Sequence, residues 1–285
     1  MDILELLKYI FLGFVQGITE VLPISSSGHV AIFQHLLKIG TDDSAIFFAL
    51  VNFGSLLAVI WYFRATIGRL IVNFFRYIFV KGTRAQSAND FFYFLKIIIG
   101  IIPAGLVGLF LKKYIDDAYL KYGLVMVGFG LLVTSTFLFI VRNAPESNVR
   151  QNLTFKDAAI IGLLQPFAII PGLSRSGITV AGGLMKKLSL ETALTFSFLM
   201  YVLISIGYAG ESFYSAYNAE SGFGLSSLGF SQYIYYACSF FFAFLGTKIG
   251  LKYIFKWFRQ GKLVIFAYYT MALGLVSLLA GVFTF

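Results

Sequence analysis

The chain has 285 residues, 59% of them hydrophobic and only 12% charged, with a formal net charge of +9 and a mean hydropathy of +0.84. A soluble globular chain carries about 25% charged residues, so this one cannot cover a water-facing surface; it reads as an all-α polytopic membrane protein. The positive balance is loop charge on the cytoplasmic side, not a nucleic-acid surface, and the single Cys238 offers neither a disulfide framework nor a thiolate metal site.

In chain order, the first apolar stretch, residues 3–37, is interrupted by Glu20, Pro23, Ser25, Ser26, Ser27 and Gly28. No polar cleavage region follows its start, so it is kept as mature sequence. Six stretches are able to span: residues 44–63, 91–111, 122–141, 190–209, 233–253 and 263–285. Residues 158–185 form a second interrupted stretch. Broken helices at membrane depth are tolerated only where protein or a polar cavity surrounds them.

Loop charge assigns the sides. The connection 64–89 carries Arg64, Arg69, Arg76, Lys81 and Arg84 ahead of any acid and is expected in the cytoplasm, with 67–79 as an amphipathic interfacial helix. The connection 248–262, with four lysines and Arg259, is cytoplasmic too, whereas 210–232 holds Glu211 and Glu220 with no basic residue and is external. With these anchors, residues 158–185 must begin and end on the cytoplasmic side as a re-entrant hairpin. Residues 3–37 dip in from outside by the same logic.

A shift of 149 positions places Gly13 on Gly162, Gln16 on Gln165, Ser25 on Ser174, Ser27 on Ser176 and Gly28 on Gly177. The single membrane domain therefore divides into two repeats, about 1–141 and 156–285, each a re-entrant hairpin followed by three crossings. An odd number of crossings inverts the halves, which places a site near the midplane between them.

The chemistry concentrates at the two Ser-rich elbows. Pro23 ends one helix, and Ser25, Ser26, Ser27 and Gly28 can present free amides and hydroxyls at the start of the next, as an anion site does. Pro171 and Gly172 precede Ser174, Arg175, Ser176, Gly177 and Thr179, which repeat the device and add a guanidinium that clamps phosphate. Read structurally, Arg175 would instead pair with Glu20 or snorkel to the interface, the serines would be helix caps, and His29 would be a hydrogen-bonded structural residue. Gln16 and Glu20, four positions apart, share a helix face. Hydroxyl, imidazole, carboxylate and guanidinium together suffice for phosphoryl transfer from an ester or anhydride. His35 is left as structural.

At these residues the chain resembles the undecaprenyl-diphosphatase family, the bacitracin-resistance type of integral membrane phosphatase. One matching motif runs from Gln16 through Glu20 and Pro23 to His29, the other from Pro171 to Thr179, and length and hydrophobic pattern agree throughout. The resemblance implies hydrolysis of undecaprenyl diphosphate on the external side of the bacterial inner membrane, supplying the monophosphate carrier for cell-wall synthesis. It also implies catalytic positions at Glu20, Ser26, His29 and Arg175. Ser25, Ser27, Gly28, Ser174, Ser176, Gly177 and Thr179 would bind the substrate phosphates, with Gln16 and Gln165 in support. A divalent cation, Mg²⁺ or Ca²⁺, is implied as cofactor, with Glu20 as its candidate ligand. The partners are a prenyl diphosphate lipid and the bilayer; a homo-oligomer is left open. Many family members have Glu where this chain has Gln16, which alters the local electrostatics.

Two chemical routes are open: attack by Ser26 with His29, oriented by Glu20 or a cation, moving protons, or water activated by Glu20 or His29. By architecture alone a transporter or flippase of a prenyl-phosphate lipid would use the same anion site. The type-2 phosphatidic acid phosphatases share Ser-Gly-His at 27–29, but they need a later nucleophilic His and this chain has none after His35.

Overall fold

A computed structural model describes residues 2–39, 44–144, 149–217, 229–260 and 263–283. Among them the chain is helical except for short connections and one isolated bridge between Arg150 and Leu188. The helices are α1 (Ile3–Val21), α2 (Ser26–Leu37), α3 (Ser44–Phe79), α4 (Arg84–Val141), α5 (Phe155–Leu164), α6 (Arg175–Met185), α7 (Leu190–Tyr217), α8 (Phe230–Arg259) and α9 (Leu263–Phe283). Short 3₁₀ turns precede α4 and follow α5.

Five of these helices (α3, α4, α7, α8 and α9) are long and apolar enough to cross a bilayer. The 58-residue α4 is two arms, since Gly123 at φ 41°, ψ −117° interrupts it. A Cβ there would meet open space, so glycine serves the positive φ, not a close contact. Large apolar side chains such as Leu109, Phe110 and Leu120 are strongly exposed around the bundle, as the outer surface of a multi-pass membrane protein is.

Two local expectations are revised. Residues 67–79 are no separate interfacial helix: they continue α3 without a break, giving 36 residues, or about 54 Å at 1.5 Å per residue. Much of the region 210–232 is also not a loop, because α7 carries its helix on to Tyr217. Glu220, Lys262 and the side chain of Arg259 lie outside the described residues.

Small residues let the helices approach. A Cβ on Gly17 of α1 would fall 2.1 Å from the carbonyl oxygen of Ala243 in α8, and Thr247 Oγ1 donates to the Gly17 carbonyl at 2.9 Å. The second arm of α4 runs against α9 through Gly128 and Gly274, and Ser135 donates to the Ala267 carbonyl at 2.8 Å. The largest apolar core joins α3, α4, α7 and the ends of α8 and α9 around Leu56, Ile97, Phe196 and Met200.

The hairpins α1–α2 and α5–α6 meet at their tips. Ser176 Oγ donates to the Leu22 carbonyl at 3.1 Å, and a Cβ on Gly28 would lie 3.1 Å from Gly172 Cα. Behind them, Thr134 of α4 donates to the Gly172 carbonyl at 3.2 Å and accepts from the Ser174 amide at 2.9 Å. This junction positions the site.

Candidate active site

Each elbow is built on a serine N-cap. Ser25 Oγ accepts from the Gly28 amide at 3.2 Å and Ser174 Oγ from the Gly177 amide at 3.1 Å. In each, the capping hydroxyl lies 3.3 Å from that of the serine two positions on, Ser27 or Ser176. Ser25 adopts φ 70°, ψ 99°, a backbone region that costs a non-glycine residue about 1–3 kcal/mol and persists only where surroundings impose it.

Immediately after these caps stand Ser26 and Arg175, related by the 149-residue shift, and both reach Glu20. Ser26 Oγ donates to Glu20 Oε2 at 2.6 Å, Gln16 Nε2 donates to the same oxygen at 2.8 Å, and Arg175 Nη2 pairs with Oε1. The carboxylate is buried, with 6% of its side chain exposed against 22% for Arg175. Around it Leu22 to Ser25 and Gly28 to Ala31 are buried, while Ser26 and Ser27 keep partial access. The opening therefore presents two hydroxyls and a guanidinium, with the carboxylate behind them.

Three residues not singled out by sequence hold these groups. Asn52 Oδ1 accepts from Gln16 Nε2 at 2.9 Å. Tyr201, the residue 149 positions after Asn52, lies under Arg175, with Cζ 3.9 Å from its ring centroid. Ser205 Oγ is 3.4 Å from Arg175 Nη1. Asn52 was detectable as an amide inside an apolar crossing; one tyrosine among 17 was not.

His29 is placed differently from expectation. Its Nδ1 is 2.7 Å from the Ser25 carbonyl and its Nε2 2.7 Å from Tyr269 Oη of α9. A carbonyl only accepts, so Nδ1 carries the proton and Nε2 of the neutral ring receives the tyrosine hydroxyl. Neither nitrogen touches Glu20, so Glu20 does not orient this imidazole.

The expected phosphate ligands also divide. Thr179 Oγ1 donates to the Arg175 carbonyl at 2.8 Å and accepts from Ser197 at 2.6 Å, and Ser174 and Ser176 are engaged as described. The Gly28 and Gly177 amides are capped. Ser26, Ser27 and Arg175 keep partial solvent access.

Gln165, the counterpart of Gln16, is buried with neither amide atom hydrogen-bonded, and Gln16 Oε1 is likewise buried without a partner. No group of three or more His, Cys, Asp or Glu side chains that could hold a metal occurs among the described residues. The unsatisfied Gln16 Oε1 beside Glu20 fits a hard cation only if most other ligands are phosphate oxygens and water, an arrangement Mg²⁺ often adopts.

A family model described as bacitracin resistance protein BacA matches residues 9–276. The chain is 38% identical over 281 residues to an undecaprenyl-diphosphatase of Acholeplasma laidlawii, covering 97% of both chains. It is 40% identical over 273 residues to undecaprenyl-diphosphatase 1 of Bacillus cereus, covering 96% of this chain and 97% of the relative. It is 36% identical over 275 residues to an undecaprenyl-diphosphatase of Oceanobacillus iheyensis, covering 96% of each.

Proposed function

This chain belongs to the bacitracin resistance protein BacA family, and we propose from that premise that it hydrolyses undecaprenyl diphosphate to undecaprenyl phosphate and inorganic phosphate. It thereby recycles the lipid carrier for cell-wall synthesis and confers bacitracin resistance. The relatives bear the name of a phosphatase; nothing in the comparisons supports the carrier reading.

The observation that carries the mechanism is the contact of Ser26 and Arg175 with one carboxylate. Glu20 takes the proton from Ser26 Oγ as that oxygen bonds to the terminal phosphorus. The bridging P–O bond breaks, and undecaprenyl phosphate leaves with the electron pair. Arg175 neutralises charge on the phosphoryl oxygens, while Tyr201 keeps the guanidinium in plane. Glu20, having passed that proton to the departing undecaprenyl phosphate, then takes one from water as the water oxygen bonds to phosphorus and the Ser26 Oγ–P bond breaks, and returns it to Ser26 Oγ, releasing phosphate. His29 is a positioning residue for the elbow through the Ser25 carbonyl. A bound Mg²⁺ or Ca²⁺ would supply further charge neutralisation on the diphosphate, held by Glu20 and Gln16 Oε1.

The protein is read as lying in the bacterial inner membrane with the site open to the external side and the halves, about 1–141 and 156–285, as inverted repeats. Supporting this, α2 and α6 have 12 and 11 residues, about 17–18 Å of helix against a ~30 Å hydrocarbon core, and in each elbow a serine hydroxyl caps the amide three residues on.

The test is phosphate release from the purified protein with undecaprenyl diphosphate, beside Ser26→Ala, Glu20→Gln and Arg175→Ala. Wild type should turn over, and each variant should fall by a factor of about 10²–10⁴. A Ser26→Ala variant retaining most of the rate would exclude the covalent route, and a wild type that binds lipid without releasing phosphate would overturn the reaction.

A further inference from the structure

Away from the elbows, a cavity of about 580 Å³ opens where α2 ends, beside the Gly123 break in α4 and the last turns of α9. Gln34, His35 and Lys38 line it from α2, and Lys121 lines it from the end of the first arm of α4. In a chain with only 12% charged residues, two lysines face one cavity that no carboxylate among the described residues lines. Neither forms an ion pair among the described residues. Lys121 sits four residues after Asp117, a spacing that allows a helical pair, yet its ammonium lies 5.1 Å from the Tyr122 ring centroid instead.

Gln34 supplies an independent observation. Its residue is only 7% exposed, yet it lines the cavity. Gly123 and Leu124 also line the space, so the second arm of α4 begins there, with the first-turn amides that an anion favours. Ala31 packs with Val127 and Leu131 to close the inner end with an apolar floor. The cavity is thus separate from the Ser26–Arg175 opening.

We infer that this cavity is a second oxyanion site, taking a phosphate group borne by a free anion or by a lipid headgroup. The lysines supply point charge, Gln34 and His35 supply N–H donors, and the volume lies within the range that holds an organic ligand around the phosphate. The inference does not depend on the proposed reaction.

His29 and His35 are the chain's two histidines, which gives each site its own reporter. The full chain, labelled at the histidine ring carbons, would be placed in phosphatidylcholine nanodiscs and followed by NMR. One arm titrates inorganic phosphate against chloride of equal ionic strength; the other replaces part of the lipid with phosphatidylglycerol. The expected result is a saturable His35 shift in at least one arm, reduced at least tenfold in affinity or lost in the Lys38→Gln/Lys121→Gln variant. The His29 resonance of that variant should stay in place, marking an intact fold. Response to phosphate identifies a free anion; response only to phosphatidylglycerol identifies a headgroup. A His35 resonance that moves in neither arm, moves equally with chloride, or moves undiminished without the lysines overturns the inference.

Discussion

At Glu20 one buried carboxylate receives an amide, a hydroxyl and a guanidinium, so each neighbour's role depends on that charge. Removing one side of such an interior pair commonly costs 3–5 kcal/mol because the other charge is left uncompensated. Arg175→Ala should therefore lower the melting temperature as well as activity, whereas Ser26→Ala should spare stability; thermal unfolding in detergent separates the two. Gln16→Glu would place a second acid beside Glu20. Like charges at that distance cannot both ionise without help, and a divalent ion supplies it, so the variant should bind the ion more tightly and reach half-maximal rate at a lower concentration, read by an Mg²⁺ titration. Glu20, Ser26 and Arg175 were legible in sequence because charge and clustered hydroxyls are expensive in apolar surroundings. Tyr201 and Tyr269 were not, since tyrosine is ordinary in a membrane bundle. The partners of His29, the Ser25 carbonyl and Tyr269, were not legible either, because spacing along the chain cannot say which neighbour takes a ring nitrogen.

Among the elements, the second hairpin is closed at its base by Arg150. Its guanidinium donates to both Asp157 oxygens at 3.0 and 3.1 Å and to the Lys186 carbonyl at 2.7 Å. The backbone of residue 150 bonds on either side to Lys187 and Ser189. Burial pushes the Asp157 carboxyl up, but bonds from Arg150 and Thr154 outweigh it and hold it at about 2, below the usual 3.8. A folded-state value below the unfolded one means stability fully present above about pH 4 and lost as pH falls toward 2. Asp157→Asn should be less stable than wild type at neutral pH, the gap closing between pH 4 and 2 in parallel melting curves. At the α1–α8 contact, Gly17→Ala would drive a methyl into the Ala243 carbonyl, an overpacking worth about 1–3 kcal/mol; the same melting assay checks it. The hairpins were readable from proline, glycine and serine interrupting apolar runs. The uninterrupted length of α3 was not, because arginines that mark a membrane edge do not end a helix.

For the whole molecule, side assignment came from loop charge and the pairing of halves from five matched positions, information that no single helix carries. The inverted arrangement predicts that cysteines introduced at Lys121 and at Lys186, in a Cys238→Ser background, label from opposite faces of intact cells with an impermeant maleimide. Labelling from the same face would exclude it. The contact between Glu20 and Arg175 spans 155 residues of sequence. At roughly 5–20 residues per second of synthesis, Glu20 exists for about 10–30 s before its guanidinium has been made. During that interval the first hairpin carries an acid with no counter-charge from the second, so it must take up a proton or remain in contact with water until the later half arrives. The ion pair that organises the finished site is thus also a late step in its biogenesis, and a ribosome stalled before residue 175 leaves a first half that cannot close.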